Sequence, residues 1–450
     1  MAKLKKQFTC QQCGANYPKW SGRCENCGEW NSLVEQQIEQ GASAVSRARN
    51  TGKSLNPKKI GEVGVDGPKS RMKTSFDDLD EVLGGGIVNG SVMLLAGQPG
   101  IGKSTLLLQV ATHVARGNNV LYVSGEESAE QVKLRAERLG ADSEEMLSFA
   151  ASTSADDIAA TIRDEKYNLL IIDSIQTLSL MEISSAPGSV SQITNSSNVI
   201  IRAAKESSTA VILVGHVTKE GSIAGPKVLE HLVDVVLQFE GDRYGGFKMV
   251  RSSKNRFGST SEIAIFDMDS QGLRLVKNPS AMLLAERQNT DGSVILATME
   301  GARPLLVEIQ ALVNPTNFGY PKRTASGFDL NRLNLLVAVL ERRTKLKLSD
   351  KDIFINVVGG LKLADPAADL AVCMAIASAA AKRRLDDDVV VFGEVGLGGE
   401  IRSARHAERR IAEAKKLGFS KALAPSGQKN IKFVHSVKDL RQALIDYLKS

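Results

Sequence analysis

A glycine-rich stretch that ends in a lysine and a serine is the part of the sequence whose residue types most directly suggest chemistry. Residues 97–104 read GQPGIGKS, which fits the P-loop pattern of two glycines separated by four residues and followed by lysine and a hydroxyl residue. Glycine lets the backbone N–H groups of such a turn surround phosphates, while the lysine reaches the β- and γ-phosphates and the hydroxyl binds Mg²⁺. The spacing predicts a site for ATP and Mg²⁺, with a structural glycine turn as the alternative.

Carboxylates at the ends of two later apolar runs are expected to complete this site. The predicted nucleotide contacts are Gly97, Gln98, Pro99, Gly100, Ile101, Gly102, Lys103, Ser104, Thr105 and Asp173. Asp173 ends NLLIID, and the carboxyl end of a strand in an open α/β sheet faces the ligand crevice, so we expect it to hold the Mg²⁺ shell with help from Ser174. Glu126 follows the run NVLYVSG and is predicted to polarise the attacking water.

Two polar residues near these strand ends allow more than one interpretation. Ser124-x-x-Glu127 fits a capping box that would open the helix EQVKLRAERL, so Glu127 suits capping as well as catalysis. His216, which follows AVILVG, suits either γ-phosphate sensing or a position that points into the loop beyond. Both pairs of alternatives stay open on the sequence alone.

The elements that must position these residues alternate along the chain. Apolar runs (VMLLAG, NVLYVS, NLLIID, AVILVG, VVLQFEG) alternate with helical stretches such as TLLLQVATHVAR between about residues 60 and 275. Such alternation predicts an α/β fold with a mostly parallel sheet covered by helices. After VKNPSAM, the strand-like SVILATMEG and RPLLVEIQALV and the helix-like NRLNLLVAVLERRTK and PAADLAVCMAIASAAAKRR predict a separate α+β domain.

Four of the five cysteines lie in the first 27 residues, as two CxxC pairs. They are Cys10, Cys13, Cys24 and Cys27. Two such pairs can present four thiolates to one Zn²⁺, which lets a segment too small for its own core fold. Two disulfides are the alternative, and the lack of a secretion signal in MAKLKKQFTC favours zinc. Residues 31–60, which include VSRARNTGKSLNPKK, are predicted to form a mobile basic linker.

Composition places only broad limits on function. With 450 residues and 42% hydrophobic content, the chain is long enough for two or three domains. A formal net charge of +6 is compatible with a polyanion partner but is modest for this length. No apolar run approaches the eighteen or so residues that span a bilayer, so we expect a cytoplasmic protein without a membrane partner.

The combined motifs resemble the RadA (Sms) family of bacterial DNA-repair proteins over essentially the whole chain. The four-cysteine N-terminus, GQPGIGKST, LIIDSIQ, KNRFG and a C-terminal region similar to the Lon protease domain follow the family's order. The resemblance implies a RecA-like P-loop ATPase core that forms a hexameric ring, binds single-stranded DNA through loops facing the pore, and drives branch migration of recombination intermediates with the RecA recombinase. It supports the roles given above to the nucleotide-site residues. The expected segments are a zinc ribbon-like module (1–30), the linker (31–60), the ATPase domain (61–277) and a Lon-protease-like domain (278–450).

The same resemblance places two DNA-binding loops after strands of the core. They are residues 181–195 and 217–231. In the second loop, Lys219 and Lys227 are the implied phosphate contacts. From the residues alone, both stretches are long loops for which solvation is the ordinary interpretation.

The KNRFG string raises the question of what two cations do after the strand-like FKMVRSS. A P-loop with one lysine leaves much of the charge that develops on the γ-phosphoryl group uncompensated, and a cation placed opposite stabilises the transition state. The resemblance implies that Lys254 and Arg256 reach the ATP of a neighbouring subunit, with Phe257 and Gly258 fixing the turn. A basic surface turn that meets DNA or solvent is the alternative.

The Lon-like region departs from the protease pattern at both catalytic positions. Residues 365–369 read DPAAD where the protease carries Pro-Ser-Ala-Gly, so Ala367 stands at the serine position and the lysine position falls at about Arg409. Alanine has no nucleophile, and a guanidinium stays protonated. We therefore predict an inactive protease domain and keep an ATP-dependent protease only as a disfavoured rival. A KaiC-like P-loop phosphotransferase is the second rival.

A basic stripe is also predicted in this region. If residues 402–417 form one helix, Arg402, Arg405, Arg409 and Lys416 fall along one side. Such a stripe suits duplex DNA, and a solvated basic face is the alternative.

Overall fold

The computed structural model describes residues 4–10, 15–26, 28–39, 59, 71–141, 144–216, 228–241, 247–316, 319–426 and 432–448. These fall into two compact units, the first made of residues 1–239 and 252–259 and the second of residues 240–251 and 260–450. Among the described helices, none combines the length and the apolar character needed to cross a membrane.

The N-terminal module of the first unit is a small antiparallel sheet. It contains β1 (Leu4–Cys10), β2 (Asn16–Tyr17) and β3 (Leu33–Glu39), in the order β2-β1-β3. The predicted linker start was wrong, because β3 pairs with β1 along its full length, from Leu33 opposite Cys10 to Glu39 opposite Leu4. Leu33 is buried with Cys10 and Cys24, which ties this strand to the module. Residues 40–58 of the predicted linker lie outside the described residues.

The core of the first unit is the parallel sheet that the apolar runs predict. Its elements are α1 (Asp77–Val82), β4 (Val92–Gly97), α2 (Lys103–Ala115), β5 (Val120–Ser124), α3 (Ala129–Arg138), β6 (Leu147–Ala151), α4 (Ala155–Asp164), β7 (Leu169–Asp173), α5 (Val190–Ser207), β8 (Ala210–His216), α6 (Val228–Leu232) and β9 (Val235–Gly241). The strand order β9-β4-β8-β7-β5-β6 is parallel throughout. Strands β4, β5 and β7 are buried at every residue, as expected for a sheet covered on both faces.

The second unit is a mixed α+β domain, as predicted, but it also contains residues 240–251 and 260–277, which the sequence analysis assigned to the ATPase domain. The residues of strand β10 (Lys248–Asn255) are divided between the units: residues 248–251 belong to the second and residues 252–255 to the first. The following elements are β11 (Ile263–Asp269), β12 (Gly272–Leu275), α7 (Pro279–Leu284), β13 (Ser293–Glu300), β14 (Arg303–Pro315), β15 (Arg323–Ser326), α8 (Leu330–Thr344), β16 (Lys351–Val357), α9 (Asp369–Ala381), β17 (Val389–Val391), β18 (Glu394–Val395), β19 (Ile401–Arg402), α10 (Ala407–Lys416), β20 (Lys421–Pro425), β21 (Val434–Val437) and α11 (Leu440–Tyr447). Seven strands form one sheet in the order β15-β16-β14-β13-β17-β20-β21. Helix α9 is buried on nearly all sides, which explains its run of alanines.

The predicted helix over residues 402–417 was wrong at its start. Arg402 pairs with Glu394 in the β18–β19 hairpin, and α10 begins only at Ala407 because His406 adopts a left-handed conformation with φ of 56°. Arg402, Arg405 and Arg409 are all exposed, but they do not form a stripe on one helix. Their contact with DNA stays a prediction.

Arg410, and not Arg409, pairs with the turn at residues 365–367, which the resemblance aligns with the protease nucleophile. Arg410 is 1% exposed, and its guanidinium is 2.7 Å from Asp365 Oδ2 and donates to Ala297 O at 2.6 Å. The other carboxylate oxygen of Asp365 accepts from Ala367 N at 3.0 Å. This ion pair and its hydrogen bonds hold the turn at residues 365–367 together.

Removing this guanidinium is expected to destabilise the second unit, because Asp365, whose side chain is only 14% exposed, would lose its counter-ion. Arg410→Ala should lower the free energy of opening β13 and α9 by about 3–5 kcal/mol, measured by hydrogen exchange of their amides. Arg409→Ala is the matched control: the exposed Arg409 donates only to Ala302 O, and its loss should cost less than about 1 kcal/mol. Equal effects of the two substitutions would contradict a structural role for the Arg410 pair.

Candidate active site

The register of the parallel sheet brings the functional strand ends together. In β4 and β8, Gly97 lies opposite His216, and in β5 and β7, Ser124 lies opposite Asp173. The carboxyl ends of these four strands meet at one edge of the sheet, where ligands bind in open α/β folds. Residues far apart in sequence therefore share one crevice.

The glycine turn has the strand-turn-helix context that the sequence predicts. A Cβ atom at Gly97 would lie 2.7 Å from Phe239 O, so no side chain fits there. Gly102 is the N-cap of α2 and has a φ of 114°, which favours glycine. Because α2 starts at Lys103, the turn presents its backbone N–H groups and the positive end of the helix to the same space.

The ammonium group of Lys103 is buried in this turn. Lys103 is 5% exposed, and its Nζ donates to Gly97 O at 2.8 Å, Gln98 O at 3.0 Å and His216 Nδ1 at 3.1 Å. Burial lowers the pKa of Lys103 to about 8, although two nearby carboxylates oppose the shift. These three partners use all three N–H bonds of the ammonium, so an incoming phosphate must replace at least one of them.

His216 connects the lysine to the candidate catalytic carboxylate. An ammonium only donates, so His216 Nδ1 accepts from Lys103 and a neutral ring carries its proton on Nε2. That nitrogen lies 3.3 Å from Glu126 Oε1 and donates to it. The ring therefore lies in the predicted nucleotide site, directly before the second predicted DNA loop.

Glu126 is held by several donors on one of its oxygens. Besides His216, the hydroxyl of Ser174 donates to Oε1. The hydrogen bond from His216 is the largest cause that lowers the pKa of Glu126 to about 2, and Ser174 and the charge of Lys103 add to it while burial opposes it. Within the described residues, Oε2 has no hydrogen-bond partner. The carboxylate stays ionised and has one oxygen available for water.

Asp173 lies beside this group at the end of β7. It is 5% exposed, and Tyr122 donates its hydroxyl to Oδ2 at 2.9 Å. Burial, followed by the charge of Asp173, raises the pKa of Tyr122 well above its usual range, so the phenol stays a donor. Sequence reasoning missed Tyr122, although its position two residues before Ser124 puts both on one side of β5.

The capping-box prediction for Glu127 was wrong. Helix α3 is capped by Ser128, whose hydroxyl accepts from Gln131 N while the Gln131 side chain accepts from Ser128 N. Glu127 instead pairs with Arg135, whose Nη1 is 2.7 Å from Glu127 Oε2. The hydroxyl of Ser124 accepts from the backbone N–H groups that precede the cap. Glu127 is thus held by an ion pair with a residue in the last turn of α3.

Lys254 of the KNRFG string is bound to the end of a helix in its own subunit. Its Nζ donates to Glu230 O and to Val233 O, both at 2.7 Å. These carbonyls lie at the C-terminal end of α6, where a cation also meets the negative end of the helix. One N–H of the ammonium remains beyond these two bonds.

Arg256 is anchored by the neighbouring loop. Its Nη1 lies 3.0 Å from Asp234 Oδ1, and the other oxygen of Asp234 accepts from Val92 N at 3.0 Å. Arg256 is 58% exposed at its side chain, so most of its donors face solvent. Asn255, which the sequence did not single out, shapes the turn, since it accepts from Phe257 N at 2.8 Å and donates to Val82 O at 2.9 Å.

Several predicted site residues lie outside the described residues. They are Cys13, Cys27, Lys219 and Lys227. Of the predicted zinc ligands, Cys10 is 1% and Cys24 is 0% exposed, and they form with Leu33 the buried cluster of the module. Three residues are too few to hold a domain together, and thiols are the donors that Zn²⁺ prefers, so the described residues fit a structural zinc.

Three family descriptions match separate parts of the chain. Residues 66–222 match the family described as "AAA domain", residues 8–35 match "Rubredoxin metal binding domain", and residues 334–428 match "Subunit ChlI of Mg-chelatase". The first match supports nucleotide binding, and the second supports zinc in the N-terminal module.

Curated relatives cover nearly the whole chain. DNA repair protein RadA of Pseudomonas aeruginosa is 47% identical over 95% of this chain and 94% of its own. The proteins of the same name from Aquifex aeolicus (47% identical over 94% of both chains) and Bacillus subtilis (46% over 95% of this chain and 93% of its own) are equally similar. The crystal structure of the RadB recombinase matches with a TM-score of 0.38 and 20% identity, over 46% of this chain and 100% of its own. With this level of identity over almost its full length, the chain belongs to the RadA family.

Proposed function

We propose that this chain is a DNA-dependent ATPase motor of homologous recombination and DNA repair. The observation that carries the proposal is the hydrogen-bonded chain from Lys103 through His216 to Glu126. It joins the predicted phosphate ligand to the predicted catalytic carboxylate through the residue that directly precedes a predicted DNA loop. The curated relatives are named for DNA repair, which supports the choice of DNA as partner and a cytoplasmic place of action.

The turn and its flanking strands would bind MgATP. Lys103 would exchange its bonds to the turn carbonyls for bonds to the β- and γ-phosphates. Ser104 and Asp173 offer the oxygen donors that Mg²⁺ prefers, and Mg²⁺ would neutralise charge between the β- and γ-phosphates. Tyr122 orients Asp173 by its hydrogen bond, which fixes the carboxylate before ligand arrives.

Glu126 would hold the attacking water rather than remove its proton early. A carboxyl group with a pKa of about 2 is a weak base, but its open Oε2 can accept a hydrogen bond from water and align it with the γ-phosphorus. Once phosphate draws Lys103 away, His216 loses its donor and is released to report the nucleotide state to the loop that follows it. DNA bound to that loop would act on the same His216 ring from the loop side, opposite the nucleotide.

A neighbouring subunit would complete the site. Lys254 has one N–H beyond its two carbonyl bonds, and Arg256 has solvent-facing donors. Both cations are held by backbone and carboxylate partners that fix their direction, as a transition-state finger requires. A hexameric ring would place them at the next subunit's ATP.

The DNA contacts proposed here are spread over both units. Lys219 and Lys227 would hold single-stranded DNA. Arg402, Arg405 and Arg409 are exposed and would approach branched or duplex DNA from separate elements. Cooperation with the RecA recombinase in branch migration belongs to the same proposal and is supported by the family.

The direct test is the rate of ATP hydrolysis by the zinc-loaded full chain, with and without single-stranded DNA. A motor of this class should be stimulated at least several-fold, and a three-strand DNA intermediate should be extended when RecA is added. A rate indifferent to DNA, with labelled γ-phosphate transferred to protein, would instead support the phosphotransferase rival. Degradation of casein would support the protease rival.

A further inference from the structure

The two tryptophans of the 450-residue chain both lie in the N-terminal module. Trp20 is 56% exposed and Trp30 is 68% exposed. A Cβ atom on Gly22 would lie 3.8 Å from both rings, in ordinary van der Waals contact, so the two indoles flank one point of the surface. Large aromatic side chains are usually buried or half-buried, so a shared exposed site suggests a ligand.

The backbone around the second CxxC pair holds these rings in place. Arg23 and Trp30 form an antiparallel bridge, and Asn31 N donates to Gly22 O at 2.8 Å. Next to this bridge, Cys24 is fully buried. The rings therefore project from the segment that would hold zinc, and little conformational entropy is lost when a ligand meets them.

The neighbouring charges indicate what kind of ligand fits. The guanidinium of Arg23 lies 5.8 Å from the centre of the Trp30 ring, and its Nε donates to Gly28 O at 2.9 Å. Lys19 is exposed beside Trp20. Glu25 and Glu29 are exposed on the same segment, so this face does not attract polyanions by charge alone. Its distinctive property is flat aromatic surface with a cation at its edge.

The size of the surface favours nucleic acid bases over a protein partner. With about 250 Å² for a whole tryptophan, the two rings expose roughly 300 Å², well below the roughly 800 Å² that each partner buries in a specific protein complex. One or two stacked bases cover such an area, and base stacking on aromatic side chains needs no matching aliphatic surface. In sequence, residues 45–59 then add five cations and no acidic residue.

We propose that Trp20 and Trp30 are a stacking platform for the bases of single-stranded DNA. The inference rests on the proposed DNA-binding function and adds to it a contact outside the ATPase core. Arg23 keeps the Trp30 ring in position and Lys19 lies near enough to Trp20 in the chain to meet the adjoining phosphate. The zinc module would thereby hold the strand that the ring translocates.

Because the chain has no other tryptophan, its intrinsic emission reports this surface alone. Excitation of the indoles in the zinc-loaded full chain should show strong quenching on titration with oligo-dT, and clearly less with an abasic strand of equal length and charge. The single variants Trp20→Phe and Trp30→Phe should each keep quenching of the remaining ring. The double alanine variant should lose at least roughly fivefold in affinity for a labelled oligo-dT, while the double phenylalanine variant keeps most of it.

The controls separate stacking from other causes. Tyr320→Ala removes an aromatic side chain that is 87% exposed in the second unit, and it should change neither quenching nor affinity. Zinc content measured on every variant reports whether the module is intact. Unchanged emission at saturating oligo-dT, equal quenching by the abasic strand, or quenching by RecA alone would overturn the proposal. ATP hydrolysis that still responds to DNA in that case would leave the proposed motor function standing.

Discussion

Glu126→Gln is expected to bind ATP as tightly as the unchanged chain and to hydrolyse it at least about 100-fold more slowly. The substitution keeps the size of the side chain, but it removes the charge that aligns the attacking water and replaces one acceptor by a donor. Nucleotide affinity from equilibrium binding and the turnover rate at saturating ATP, measured with single-stranded DNA present, separate the two effects. Protein loaded with uncleaved ATP should accumulate.

The adjacent Glu127→Gln is the matched control. It makes the same chemical change one residue along, but the carboxylate it alters pairs with Arg135 in the last turn of α3. We expect turnover within about threefold of the unchanged chain, because the Glu127–Arg135 pair lies outside the hydrogen-bonded chain from Lys103 through His216 to Glu126. If Glu127→Gln were the more damaging of the two, the assignment of the water-orienting carboxylate to Glu126 would be wrong.

Much of the first unit was predictable because its signals are local. Continuous apolar runs such as NLLIID report strands buried on both faces, and the glycine turn at residues 97–102 is identified by its own spacing. Asp173 and Glu126 could be chosen because each follows such a run. In every case, a few adjacent residues carry the information.

The contacts within the site were not predictable because they depend on strand order. Lys103 meets His216 only because β4 lies beside β8, across 113 residues of sequence. Nothing near His216 in the sequence distinguishes a nucleotide-site residue from a loop residue. Tyr122 was missed for the same reason, since its partner lies on a neighbouring strand.

The wrong predictions in the second unit arose because charged residues were assumed to be exposed to solvent. The sequence did not single out Arg410, which is buried against Asp365, and the left-handed His406 shortens the predicted helix. Alternation of charged and apolar residues predicts a helix but does not locate its first residue, which depends on one backbone angle. Likewise, Ser124 and Ser128 both suit capping, and only the structure distinguishes them.

Mixtures of Lys254→Ala and Glu126→Gln subunits are expected to recover ATP hydrolysis that neither variant shows alone. In a ring, a site works when its own Glu126 is intact and its neighbour supplies Lys254, so an equal mixture that assembles randomly should reach about a quarter of the unchanged rate. Each parent alone should be reduced by about 100-fold or more. The measurement is the DNA-stimulated turnover rate across a series of mixing ratios at constant total protein, after subunits have been allowed to exchange.

Arg251→Ala provides the comparison for these blends. Arg251 lies on β10 three residues before Lys254 and pairs with Glu240, so its loss leaves the finger intact. In mixtures of Arg251→Ala and Glu126→Gln, the turnover rate should fall in proportion to the share of Glu126→Gln. In mixtures of Lys254→Ala and Glu126→Gln, the rate should instead peak at equal shares.

The mixing experiment is needed because Lys254 also caps the C-terminal end of α6 in its own subunit. Lys254→Ala removes two hydrogen bonds to carbonyls at the end of the predicted second DNA loop and just after it, and that loss alone would lower activity without any role across an interface. A lost helix cap stays lost whichever subunit lies next to it, so blends would then show no more than the sum of the parents. A peak at equal shares requires that the ammonium serves the neighbour's nucleotide, and its carbonyl bonds then become the support that aims it.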